Sequence, residues 1–75
     1  MKELIEYIAR SLVNDPVQVQ VKEVDHGHEV ILELHVAPED MGRVIGRNGR
    51  VASAMRVLVR VAAARQGRRA SVEIV

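Results

Sequence analysis

The tetrapeptide Gly46-Arg47-Asn48-Gly49 constrains the fold more than any other stretch, because one apolar helical pattern runs into its first glycine and another leaves its last. Four residues must stop one helix, turn the chain and start the next. Gly46 suits the left-handed position that ends a helix, and Asn48 is a natural cap for the helix that follows. A helix starting this way offers unpaired N–H groups and the positive end of its dipole, an arrangement that favours a phosphate.

Charge is segregated around this connector. Residues 1–40 carry three basic residues against nine acids, whereas residues 41–72 carry eight arginines and no acid. The net charge of +1 conceals this division. A half-chain of such polarity fits a polyanionic partner, and arginine favours planar, bidentate phosphate contacts. Arg56 and Arg60 read equally well as cations that solvate a helix face. Arg43, Arg47 and Arg50 are less easily explained that way, because they surround the connector.

The remaining elements follow in order. Leu4, Ile5, Ile8, Ala9 and Leu12 recur at helical spacing, which predicts an amphipathic helix from Lys2 to about Asn14, stopped by Asn14-Asp15-Pro16. Tyr7, the one aromatic residue, is expected to be partly buried on it. Val17 to Lys22 alternates apolar and polar residues and predicts a strand. Val24 to His28 is the expected turn, leading into a second strand from Glu29 to Ala37 with Val30, Leu32, Leu34 and Val36 on one face. The short turn implies an antiparallel hairpin.

Pro38-Glu39-Asp40 opens the helix that ends at Gly46, with the two acids complementing its dipole. Gly42 is anomalous within it, since an interior glycine costs about 1 kcal/mol relative to alanine; a packed neighbour or a ligand backbone would explain it. From Arg50 to about Gln66, the set Val51, Ala54, Met55, Leu58, Val59 and Ala62 follows helical spacing. Val57, Val59 and Val61 also alternate as a strand would, but the alanines, Asn48 and Gly67 favour a helix. Val57 and Val61 then widen its apolar stripe beyond what one small sheet covers, pointing to a second surface such as a dimer interface. A last strand, Ala70–Val75, turns Val72 and Ile74 inward. The order α-β-β-α-α-β predicts one α+β domain over residues 1–75, in which two successive helices allow the second and third strands to pair in parallel.

Several functions are disfavoured. With no cysteine there is neither a disulfide nor a thiolate metal site. His26, His28 and His35 lack a carboxylate or cysteine cluster and read as solvated residues, so no metal or other cofactor is expected. Ser11, Ser53 and Ser71 have no histidine near them in sequence, so no catalytic role is expected. The connector matches neither GxxxxGK[ST] nor GxGxxG. One tyrosine and no Phe or Trp exclude an aromatic stacking platform. No apolar run approaches the roughly 20 residues that span a bilayer, and the N-terminus does not resemble a signal peptide. A cytoplasmic protein without a membrane partner is the expectation.

The element order and Val44-Ile45-Gly46-Arg47-Asn48-Gly49-Arg50 resemble the KH domain, specifically its type II, bacterial arrangement. Chain length and the stretch Ile45 to Ala64 most resemble the short, stand-alone RNA-binding proteins of the KhpA family. The resemblance implies a three-stranded mixed sheet with helices on one face, and single-stranded RNA in a groove between the two central helices and the sheet edge. It assigns Gly46 and Gly49 to close backbone approach, and the amides of Arg47 and Asn48 to the phosphates. Arg43, Arg47 and Arg50 would supply charge, while Ile45 and Gly42 would shape an aliphatic groove. Arg47 stands where the family commonly has lysine. The resemblance also implies a homodimer, or pairing with a larger KH-containing protein of the KhpB, Jag or EloR type, and a role as RNA chaperone or regulator in cell elongation and division. The alternative is a protein-interaction module whose RNA face is vestigial.

Overall fold

The computed structural model describes residues 1–75. Helix α1 (Lys2–Leu12) buries Ile5 and Ala9, and Val13 leaves it in an extended conformation. The stop thus falls just before Asn14-Asp15-Pro16. Tyr7, expected to be partly buried, is exposed on the opposite side of the helix from Ile5 and Ala9.

The first strand starts later than its alternation predicts. Pro16–Gln18 forms a 3-10 turn, closed by the N–H of Val19 donating to the Pro16 carbonyl at 3.1 Å. Val17 is consequently 86% exposed. Proline is preset for the first corner of a turn, and here that local preference wins over the valine pattern. Val19 and Val21 are buried, and strand β1 runs Gln20–Asp25. The turn therefore shrinks to His26-Gly27-His28, with the His26 N–H bonded to the Glu29 carbonyl at 2.8 Å.

Strand β2 (Glu29–His35) is the centre of the sheet. It pairs antiparallel with β1, from Gln20 opposite His35 to Asp25 opposite Val30. It pairs in parallel with β3 (Arg69–Ile74), from Glu29 opposite Arg69 to Leu34 opposite Ile74. The crossover between them contains α2 (Met41–Ile45) and α3 (Arg50–Ala64). The result is α+β with a three-stranded mixed sheet, in the order α-β-β-α-α-β. The core lies between sheet and helices, where Val30, Leu32 and Leu34 meet Ile5, Val44, Met55 and Val59.

Helix α3 sits in a different rotation from the one its apolar spacing predicts. Ala52, Met55, Val59 and Ala63 are its buried residues, whereas Ala54 and Leu58 are exposed. Periodicity loses its power to set the phase when a helix is apolar on most sides. The small Ala52 and Ala63 let the helix backbone approach the sheet, so packing chooses that stripe.

Candidate nucleic-acid interface

Helix α2 is only five residues long and follows a 3-10 turn at Pro38–Asp40. Val44, fully buried, anchors it to the core. Asp40 is 1% exposed, and its carboxylate accepts the N–H of Asn14 at 3.0 Å and of Asp15 at 3.1 Å. The start of α2 is thereby tied to the end of the α1 segment. Sequence reasoning placed Asp40 beside Glu39 as a dipole partner only, since nothing in the local pattern separates the two acids. Arg43 lies 3.7 Å from the Asp40 carboxylate and keeps a half-exposed side chain.

The connector has three positive-φ residues in four. Gly46 has φ 76° and ψ 171°, Asn48 φ 57° and ψ 26°, and Gly49 φ 72° and ψ 16°. Gly46 therefore ends α2 in an extended mirror-image conformation, which L side chains avoid, and not in the left-handed helical region expected. A Cβ there would also lie 2.4 Å from Val51 Cγ2. Asn48 does not cap α3. Gly49 occupies the cap position, and no side chain bonds to the helix start. Asn48 serves instead as the chain's one non-glycine residue with positive φ, a conformation asparagine tolerates better than most.

The hydrogen bonds of the connector leave a gap. Gly46 N–H donates to Gly42 O at 2.9 Å and Gly49 N–H to Gly46 O at 3.1 Å, whereas Arg47 and Asn48 donate none of the bonds that close these turns. Both residues are exposed, as are Gly42, Arg43, Ile45 and Arg50, while Gly46 and Gly49 are half-buried. At Gly42 an added Cβ would meet nothing within 4 Å. The packed neighbour that could have explained this glycine is absent, and its backbone lies open on the surface.

The arginines divide into two groups. Arg68 bonds to Asp25 Oδ1 at 2.5 Å and through Nε to the Gly27 carbonyl at 2.9 Å, while Arg56 Nε reaches the Val72 carbonyl at 3.4 Å. Arg47, Arg50, Arg60, Arg65 and Arg69 take no part in the ion pairs of the chain. Val57 and Val61, with Leu58, are 52%, 56% and 47% exposed on the side of α3 away from the sheet. The histidines are brought into no group that could hold a metal. A shallow depression of about 510 Å³ beside β1, lined by Lys2, Gln20, Val21, Lys22, Glu23 and His35, shares no residue with the connector. No helix is long and apolar enough to cross a membrane.

A family model described as KhpA/KhpB, KH domain, matches residues 2–74. The chain belongs to this KH family. It is 53% identical to the RNA-binding protein KhpA of Clostridium acetobutylicum over 75 residues, covering all of both chains. It is also 53% identical to the protein of that name from Caldanaerobacter subterraneus over 76 residues, again covering all of both. With RNA-binding protein KhpA of Chlamydia pneumoniae the identity is 45%, over 99% of this chain and 95% of the relative. No solved structure matched the chain. The connector reads glycine-x-x-glycine and joins α2 to α3.

Proposed function

We propose that this KH domain is a single-stranded RNA-binding protein that grips the nucleotide backbone with the loop Gly46–Gly49. The observation that carries the reading is the connector's backbone. Its positive-φ residues turn the chain so that two exposed residues, Arg47 and Asn48, make no amide bonds in closing the loop, just ahead of a helix with no side-chain cap. Arg47 and Arg50 flank those amides without acidic partners. Gly42 and Ile45 offer an open, aliphatic surface beside them for a base or sugar. The names of the relatives denote RNA binding and no catalytic activity.

A loop and neighbouring arginines that neutralise about three phosphates give a salt slope near −2 on single strands. One such site binds weakly. Two linked sites raise apparent affinity on the order of 10²-fold. The exposed face at Val57, Leu58 and Val61 supports that linkage, as a homodimer or with a larger KH-containing protein of the KhpB, Jag or EloR type. An RNA chaperone or regulator of this kind, working in the cytoplasm in cell elongation and division, is the role that fits the resemblance.

Replacing Arg47 and Asn48 by Asp tests the site. Gel shift and crosslinking to RNA should disappear while circular dichroism stays unchanged; undiminished binding rejects the loop. The same apolar face favours a second reading, a protein-interaction module. That reading predicts salt-insensitive association with a protein and no RNA recovered from cells by crosslinking.

A further inference from the structure

The side of α3 opposite the sheet is symmetric in sequence. At about 100° per residue, Arg50, Ala54, Val57, Leu58, Val61 and Arg65 fall on the side away from Ala52, Met55, Val59 and Ala63. All six are exposed. Their positions mirror about the point between Val57 and Leu58: these two are innermost, Ala54 and Val61 come next, and Arg50 and Arg65 are outermost. A two-fold interface needs a surface complementary to itself, and a stripe that reads alike from both ends supplies one for two antiparallel helices. Antiparallel pairing sets Val57 against the partner's Leu58 and Ala54 against the partner's Val61. Small then faces large, as interdigitating helices require, whereas parallel pairing would set alanine on alanine and leave a gap.

The same pairing brings Arg50 opposite the partner's Arg65, both about 11 Å along the axis from the midpoint. Helices in contact have axes 8–10 Å apart, well within the combined reach of two arginines. Neither residue has an acidic partner in its own chain. Two cations meeting at each end would oppose association, and salt screens them incompletely at a separation near the Debye length of about 8 Å. Four partly exposed aliphatic side chains also fall well short of the roughly 800 Å² per partner typical of a stable complex. An anion between the arginines removes the repulsion. Arg50 follows Gly49 directly, so that anion lies next to the proposed phosphate loop.

We infer that each RNA site is completed in trans: antiparallel pairing of α3 places the partner's Arg65 beside Arg50, and one RNA phosphate bridges the two. This rests on the RNA-binding, dimeric reading above and adds a regulatory consequence. RNA tightens the dimer and dimerisation tightens RNA binding by the same factor, because coupling of binding equilibria is reciprocal.

The test uses a six-nucleotide oligouridylate, too short to serve two sites at once, with binding read by fluorescence anisotropy and association by sedimentation. Arg65→Ala should weaken binding up to about 5-fold in the dimer and make the salt slope shallower by about 0.7. In the Val61→Asp background, monomeric by sedimentation and folded by circular dichroism, the same change should have no effect. Mixing the Arg47→Asp/Asn48→Asp protein with the Arg65→Ala protein should restore wild-type affinity at the hybrid site, which has an intact loop from one subunit and an intact Arg65 from the other. Equal weakening by Arg65→Ala in dimer and monomer, or none in the dimer, overturns the trans site while leaving the dimer standing. A wild type that stays monomeric with and without oligouridylate removes the dimer and the trans site together. Loss of binding in the loop double mutant alone, with no response to Arg65→Ala, supports the RNA loop and rejects the bridge.

Discussion

The two ends of the crossover helix α3 are built from the same residue types and do different things. At its start lie Gly46 and Gly49 with positive φ, together with Arg47 and Arg50. Beyond its end lie Gly67 with positive φ and Arg68, facing Gly27, also with positive φ, in the hairpin turn. At the far end Arg68 and the hairpin turn are satisfied internally: Asp25 accepts the Gly27 N–H at 2.8 Å and binds Arg68, which in turn bonds to the Gly27 carbonyl. The near end has no such acid beside Arg47 and Arg50, which form no ion pair and are exposed together with Asn48. Glycine and arginine therefore do not make a site by themselves. What sets the candidate site apart is a missing internal acceptor.

The largest effect expected within this contrast is at Gly46. Gly46→Ala meets both a forbidden conformation and the Val51 side chain, and should cost about 3 kcal/mol or more by urea unfolding. Gly49→Ala and Gly27→Ala, whose added Cβ atoms meet nothing, should cost only about 1–2 kcal/mol, from the backbone alone. Similar losses at all three glycines would mean that the contact with Val51 is unimportant.

Arg47→Ala and Arg68→Ala separate the two ends by function. Removing Arg47 should weaken RNA binding by up to about 5-fold and make the salt slope shallower by about 0.7. Removing Arg68 should leave that slope unchanged, because its charge is already matched by Asp25. Equal slopes for the two variants would contradict the assignment.

Gly42→Ala should act in opposite directions on stability and binding. With open space around it, the alanine should stabilise the fold by up to about 1 kcal/mol, while a methyl group on the binding surface reduces RNA affinity. A variant that is more stable and binds as well as the wild type would show that the open backbone at Gly42 has no part in recognition.

The smallest effect is on pH dependence. The Gly27 N–H, and then Arg68, hold the Asp25 carboxyl below its usual range. A depressed carboxylate pKa stabilises the fold above the unfolded-state value, and the contribution fades as pH falls through the folded-state value. Asp25→Asn should therefore lower the urea midpoint slightly at neutral pH and flatten its decline in acid. An acid limb identical to that of the wild type would assign the decline to other carboxylates.

Much of the fold was legible because its signals are local. The hairpin turn at Gly27, the stop before Pro16 and the glycines around the connector each impose conformation within a few residues. The connector stands out in the sequence as the candidate site for the same reason. Two details of it were not legible: Asn48 is a capping residue by composition, yet it adopts positive φ, and Gly46 is extended and not helical, with Val51 packed where a Cβ would stand. Val17 reads as a strand residue by alternation but lies in a 3-10 turn, since alternation is indifferent to whether the chain has already turned at a proline.

The sequence by itself determined the order of elements, the antiparallel hairpin, the possibility of a parallel crossover and the placing of eight arginines after residue 40. Periodicity, turn chemistry and charge are properties of neighbours, and neighbours are what a sequence lists. Tertiary structure alone decided which side of α3 is buried, that Asp40 lies in the interior, and which arginines remain free. Those outcomes depend on partners distant along the chain, such as Asn14 with Asp40, 26 residues apart, and Asp25 with Arg68, 43 apart. Only folding brings such groups within hydrogen-bond range, and only then is one arginine tied into the structure and another left without a partner.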